Sequence, residues 1–134
     1  MRQKKVLILG GSSDIGFETV KLFLNRNWQV TAHYNSRKMN VKEFPEHKNN
    51  FLQFKFDLIK IYKFEKFLHK NRSKFSDFDA FVNLAGYLKP TTFEKFSIKD
   101  LYDHLNVNSI SSLLAIRRII SGMKKRKWGS WQMR

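Results

Sequence analysis

The feature that most constrains this chain is a short apolar run that breaks at once into glycine. Val6-Leu7-Ile8-Leu9 runs into Gly10-Gly11, and Ser12-Ser13-Asp14-Ile15-Gly16 follows. Four apolar residues in a row, without alternation, suit a strand covered on both faces, as in a parallel sheet. Ser12, Ser13 and Asp14 are helix-capping types. Ile15, Phe17, Val20, Phe23 and Leu24 then recur along one side of a helix from Asp14 to Asn25. Strand, glycine turn and helix in this order can hold a phosphate group, with backbone N–H groups and a helix N-terminus facing the anion. Gly10 makes the turn, Ser12 and Ser13 offer hydroxyl donors, and Gly16 lets the helix lie close to the strand. The same pattern also serves as plain punctuation between a strand and a helix, so the rest of the chain has to decide between the two.

Further along, strands and helices alternate. Trp28 to Tyr34 reads as a second strand, and Phe51 to Phe56 as a third. The polar stretch from Arg37 to Asn50, with Pro45, is expected to hold a short helix and a loop. A helix is predicted from Leu58 to Phe75, burying Ile61, Phe64, Phe67 and Leu68. Asp79 to Leu84 forms a fourth strand, closed by Ala85-Gly86. A long helix then runs from Ser97 to Lys124, with Ile98, Leu101, Leu105, Ile110, Leu113, Leu114, Ile116, Ile119 and Ile120 as its apolar set. A helix apolar over so much of its surface expects neighbours on more than one side. Alternation of this kind points to an α/β fold with a parallel sheet. With 134 residues and no linker or repeat, the chain is read as one domain, 1–134.

Composition narrows the setting. There is no cysteine, which removes disulfides and thiolate chemistry. His33, His47, His69 and His104 show no metal-ligand spacing, so no metal site is expected. No apolar run is long enough to span a bilayer, and the expectation is a soluble cytoplasmic protein without a membrane partner. The net charge of +15 raises nucleic-acid binding as an alternative. Lys60, Lys63, Lys66, Lys70 and Lys74, however, fall on one outer stripe of a helix, the pattern of a solvated face. Lys124-Lys125-Arg126-Lys127 suits a helix C-terminus.

Leu9-Gly10-Gly11-Ser12-Ser13-Asp14-Ile15-Gly16 resembles the Gly-x-x-x-Gly-x-Gly fingerprint of the short-chain dehydrogenase/reductase family, with Asp14 at the position of the middle glycine. The resemblance continues in order. Asn35-Ser36-Arg37 follows the second strand, where family members that prefer NAD usually carry an acidic residue for the ribose hydroxyls. Here Arg37 is suited to a forked contact with a 2′-phosphate, which favours NADP over NAD; a solvated loop arginine is the other reading. Asp57-Leu58 resembles the family's Asp-hydrophobe pair beside the adenine, although an Asp there would also cap the next helix. Asn83-Leu84-Ala85-Gly86 resembles Asn-Asn-Ala-Gly, with Leu in place of the second Asn. Small residues at 85 and 86 let a cofactor lie against the backbone, and Asn83 can tie adjacent strands; ordinary strand termination is the alternative. The segment from Thr92 to Leu101 is also similar to the family, and so is Leu105-Asn106-Val107-Asn108. It puts Asn108 where the family carries the helix Asn that helps hold a water in its proton relay. Asn106 is the nearby competitor.

The resemblance implies a Rossmann-like parallel sheet of order 3-2-1-4, incomplete on its C-terminal side. It also implies a nicotinamide dinucleotide cofactor and hydride transfer with a small carbonyl or alcohol substrate. The family's catalytic Ser and Tyr-x-x-x-Lys have no counterparts here. Tyr34…Lys38 and Tyr62…Lys66 match only by spacing, and Trp128-Gly129-Ser130 resembles the lead-in to the fifth strand. The expectation is therefore a truncated cofactor-binding half, inactive alone, with a non-catalytic nucleotide-binding module as an alternative. Its fourth strand is expected to be an edge. Its long helix is expected to expose part of the set Ile110, Leu113, Leu114, Ile116, Ile119 and Ile120, which favours self-association.

Overall fold

The computed structural model describes residues 2–127 and 129–133. Five parallel strands, β1 (Lys5–Leu9), β2 (Gln29–Tyr34), β3 (Phe51–Lys55), β4 (Ala80–Asn83) and β5 (Ser130–Met133), stand in the order β3-β2-β1-β4-β5. The helices are α1 (Asp14–Asn25), α2 (Ile61–Lys70), α3 (Ile98–Leu105) and α4 (Ser111–Arg126). The expected α/β architecture and the order 3-2-1-4 are present, and the sheet is open rather than closed into a barrel.

The unbroken apolar run of β1 is explained by its place at the centre of the sheet, between β2 and β4. Val6 and Ile8 face one side and pack with Val20 and Leu24 of α1. Leu7 and Leu9 face the other and pack with Phe64 and Leu68 of α2 and Ile119 of α4. All four β1 side chains are buried to within 1% of full cover, each contributing on the order of 1.5–3 kcal/mol. The lysine stripe on and around α2 is exposed at all five positions, as its spacing predicts.

Four expectations change. First, β4 is not an edge: β5 pairs with it in parallel, Ala80 beside Ser130 and Asn83 beside Met133. The backbone groups thought to be unpaired are therefore taken up on both sides of β4. Trp128, part of the expected lead-in to β5, lies outside the described residues. Second, the helix expected over 58–75 is shorter, Ile61–Lys70, because Asp57 to Lys60 form a separate turn, with Lys60 N–H donating to the Asp57 carbonyl at 3.1 Å. Third, the stretch after β2 forms two 3₁₀ turns, Val41–Glu43 and Pro45–Asn50. It is fixed from below by buried Met39 and Phe44, the latter against Phe17 and Phe51. Fourth, the long helix is interrupted by a π-turn, Asn106–Ile110, between α3 and α4. Of the apolar residues expected to face solvent, Ile110 and Leu113 do so, whereas Ile119 is buried.

The N-terminal end of the sheet is tied by charge. Asp79, buried, accepts from Arg2 Nη2 at 2.5 Å and from Lys5 N–H at 2.9 Å. Arg126 at the end of α4 donates to Asp77 at 2.9 Å. The opposite, C-terminal end of the strands is left for the turn after β1.

Candidate functional site

At that end Gly10 has φ +77, a left-handed conformation that glycine takes without strain. A Cβ at Gly10 would lie 2.5 Å from the Ala85 backbone nitrogen, so the turn after β1 and the end of β4 are in direct backbone approach. Gly16 is tighter still: a Cβ there would meet the Gly10 carbonyl oxygen at 2.2 Å. Ser13, not Asp14, caps α1. Its Oγ accepts from Gly16 N–H at 3.0 Å and donates to the Gly10 carbonyl at 3.0 Å. Asp14 sits in the first helical turn with its carboxylate in water, where the helix dipole favours it. The first-turn N–H groups of α1 that have no intrahelical partner lie at this end of the helix.

Two side chains from the end of β2 reach the turn. Arg37 Nη2 donates to the Ser12 carbonyl at 2.6 Å and lies 3.8 Å from Asp14 Oδ1. Asn35 and Ser36 beside it are exposed. His33 is buried beneath the turn. Its Nδ1 accepts from Gly10 N–H at 3.1 Å, which puts the ring proton on Nε2, donating to the Phe56 carbonyl at 2.7 Å. One neutral imidazole thus joins the ends of β1 and β3, and burial holds its pKa below the ordinary histidine value. His33 was not among the residues expected at the site. The signal was there, since a polar residue in a strand buried on both faces has to be satisfied by its neighbours.

Asp57 follows β3. It does not cap α2; its Oδ1 accepts from Ile59 N–H at 3.1 Å, holding the turn that carries Leu58, whose side chain is buried. Asn83 is buried at the end of β4 and acts locally, its Oδ1 accepting from Ala85 N–H at 3.2 Å. Past Gly86 the space is open, and the nearest atom to a Cβ there would be Asn108 Oδ1 at 3.9 Å.

Asn108 projects from the π-turn to this same place. Its Oδ1 accepts from Tyr87 N–H at 2.7 Å and its Nδ2 donates to the Tyr87 carbonyl at 3.0 Å. A side-chain amide pairing with both backbone groups of one residue fixes the chain after β4 at a defined height above the sheet. Asn106 turns elsewhere, donating to the Ile59 carbonyl at 3.3 Å, so geometry favours Asn108 of the two. π-Turns insert one residue into a helix and recur at functional sites. Asn108→Ala should leave the fold intact and release the loop. Hydrogen exchange at the Tyr87 amide is expected to rise about tenfold, the effect of one lost hydrogen bond of roughly 1.4 kcal/mol. Unchanged exchange would show that the loop is held by other contacts.

Those other contacts are visible. His104 Nε2 accepts from Lys89 N–H at 3.2 Å, while Nδ1 donates to the Asp100 carbonyl at 2.6 Å. Tyr87 stacks edge-on against the His104 ring at 4.9 Å. The Lys89 ammonium, 2.9 Å away, and the Ser97 N–H hold the Asp100 carboxyl down to about 2. Ser97 and Asp100 complete a reciprocal capping box at the start of α3.

Between these parts lies a cleft of about 990 Å³, at the upper end of the range for ligand sites, roughly 300–1,000 Å³. It runs from Gly10, Ser12 and Ser13, past Asn35, Ser36 and Arg37, to Asp57 and Leu58. On the other side it continues along Ala85, Gly86 and Tyr87 to Asn108. Tyr34 lies in its wall, whereas Tyr62 is exposed on α2 and lines a different groove. Gly16, packed against the Gly10 carbonyl, and Asn83, bonded to the Ala85 N–H, support the lining from outside it, while Ile15 of the fingerprint is exposed and lies outside the lining. An extended molecule with a phosphate near its middle fits this shape, with backbone close at Gly10 and open space at Gly86.

The profile of short chain dehydrogenases matches residues 4–130. The chain belongs to the short-chain dehydrogenase family. An uncharacterized oxidoreductase of Schizosaccharomyces pombe is 30% identical over 103 residues, which are 77% of this chain and 34% of that protein. Among solved structures, a short-chain dehydrogenase from Streptomyces avermitilis superposes with TM-score 0.81 at 18% identity, over 97% of this chain and 48% of that one. ElxO with NADP bound gives 0.74 at 23%, over 97% and 54%. An NADH-dependent reductase complexed with NAD gives 0.75 at 17%, over 93% and 54%. The chain therefore spans about a third of the S. pombe relative and about half of these short-chain dehydrogenase folds, and the structural likenesses speak to fold alone. Family members use nicotinamide dinucleotides, and the cleft is the place in this fold where the motif residues converge.

Proposed function

We propose that these residues form the cofactor-binding half of an oxidoreductase that uses NADP(H) to interconvert a small carbonyl and its alcohol. The observation that carries the reading is the convergence of four separate motifs on one cleft. Gly10 and Gly16 let the phosphate turn close on itself, Arg37 reaches across it, Asp57-Leu58 forms one end, and Ala85 to Tyr87 with Asn108 forms the other. The residues suit the cofactor by their chemistry. The α1 N-terminus and the Ser12 N–H would take the pyrophosphate, Arg37 with Ser36 a 2′-phosphate, and the wall beside Leu58 the adenine. Gly86 leaves room for the nicotinamide ring. The bound dinucleotide supplies hydride transfer. The protein's part is to fix the turn through His33 and Ser13, to exclude bulk from positions 10 and 16, and to hold the loop after β4 through Asn108.

NADP rather than NAD is favoured because no carboxylate stands at 35–37 to bind ribose hydroxyls, while a guanidinium does stand there for a phosphate. The ElxO structure holds NADP and the S. pombe relative is an oxidoreductase, which agrees with this reading. Arg37→Asp is expected to weaken NADP binding by about 10- to 100-fold, the worth of a charge-assisted contact of roughly 1.5–3 kcal/mol, and to leave NAD within a few-fold. Titration calorimetry with both dinucleotides reads this. Equal affinities before and after the change would take Arg37 out of the site.

A further inference from the structure

We infer that Asp14 sets how strongly the cleft favours a 2′-phosphate, by acting as an internal counter-ion that holds Arg37 over the phosphate turn. The inference rests on the cofactor reading above and adds a residue to it. Arg37 comes from the loop after β2, whereas Ser12 and Asp14 come from the turn after β1. One nitrogen, Arg37 Nη2, lies 2.6 Å from the Ser12 carbonyl and 3.8 Å from Asp14 Oδ1. The guanidinium therefore crosses from one wall of the cleft to the other and is already partnered. The Arg37 side chain is 71% exposed and that of Asp14 fully exposed. Such a pair is weak and exchangeable in water, so an incoming anion can take Arg37 from it.

The consequence is selective. A phosphate monoester at the ribose 2′ position carries about −1.5 to −2 charges near neutral pH. To reach Arg37 it must share the guanidinium with the Asp14 carboxylate or displace it. A 2′-hydroxyl meets no such opposition. The pyrophosphate is common to NADP and NAD, so its repulsion from Asp14 cancels when the two are compared. What remains is a penalty on the 2′-phosphate alone, at the position where the family fingerprint has a glycine that could impose none.

Asp14→Asn keeps the shape of the side chain and removes its charge. It lies on the surface, so the fold is retained. Binding of NADP and NAD to the purified chain would be measured by titration calorimetry at low salt and again at high salt. In the variant the NADP-to-NAD affinity ratio is expected to rise about three- to fivefold, the scale of one exposed ion pair, and the rise should shrink as salt screens the pair. In an Arg37→Gln background the same substitution should move the ratio by less than about twofold. An unchanged ratio in the Asp14→Asn variant, or an equal gain for both dinucleotides, overturns the inference while leaving the cofactor reading in place. A wild-type chain that binds neither dinucleotide overturns both.

Discussion

Gly16→Ala is expected to lower the melting temperature by about 10 °C and to abolish dinucleotide binding. The added Cβ would lie 2.2 Å from the Gly10 carbonyl oxygen and 2.7 Å from the carbonyl carbon of Gly11. Both are backbone atoms of a turn whose own conformation is fixed by Gly10 at φ +77. No flexible side chain can give way, so α1 has to move off the turn. Moving it separates Val20 and Leu24 from Val6 and Ile8, all of which are buried. Overpacking of this kind costs about 3 kcal/mol, which in a domain of this size is about 10 °C. The Gly16 N–H also leaves the Ser13 hydroxyl, so the cap is lost together with the phosphate cradle. Calorimetric melts and a dinucleotide titration test the two halves separately. A variant that melts within 2–3 °C of the parent would mean the turn relaxes more cheaply than its backbone contacts imply.

The second large effect concerns His33. His33→Leu keeps the bulk and removes both hydrogen bonds, leaving the Gly10 N–H and the Phe56 carbonyl without their imidazole partner. Stranding such groups costs about 1–3 kcal/mol each, so a loss of about 3 kcal/mol and a markedly weaker affinity for dinucleotide are expected. The wild-type chain should also show a pH signature. Burial favours neutral His33, against a smaller opposing pull from the Phe56 carbonyl and Asp57. Its folded pKa is thus below the unfolded value of about 6.5. Between those two values the unfolded chain binds the proton and the folded chain does not. Stability is therefore full above about pH 6.5 and declines as pH falls toward the lowered folded value. Once protonated, Nδ1 can no longer accept from Gly10, so dinucleotide affinity should fall in step. Urea melts from pH 7.5 to 5 on both proteins would test this. An equal decline in His33→Leu would assign the pH dependence to other groups.

Much of this fold was legible because its central features are strong local signals. The apolar run of β1 sits at the centre of the sheet, and the strand order followed from alternating elements together with the family resemblance. The β2 terminus, Asp57-Leu58 and Leu84 to Gly86 all line the cleft, with Asn83 buried beneath its wall. Sequence gave less warning where structure depends on partners distant along the chain. Ser130 to Met133 is four residues with no β-branched side chain, marked beforehand only by the likeness of Trp128-Gly129-Ser130 to a fifth-strand lead-in; pairing with β4 completes it. Asp57 looks like a helix cap because its type suits one, yet it closes a turn one step earlier. Ser13 and Asp14 are both capping types, and only the position of Gly16 N–H decides between them. The π-turn is invisible in composition, because Asn106 to Ile110 carries no pattern different from that of an ordinary helix.

That π-turn fixes the phase of everything before it. An α-helix advances about 100° per residue, and the turn inserts one residue between α3 and α4. If all five residues of 106–110 wound instead as regular α-helix, the extra residue would no longer be absorbed and α3 would be rotated by about that angle about the shared axis. His104 would no longer point at Lys89, and the capping box at Ser97 and Asp100 would face a different side of the molecule. Α4 would stay in the core on Ala115 and Ile119. The winding of this five-residue segment, rather than its length, therefore sets where the wall of the cleft stands. A substitution that drove these five residues into a regular helix would redirect that wall, whereas loss of one residue with return to a regular helix would leave α3 in phase.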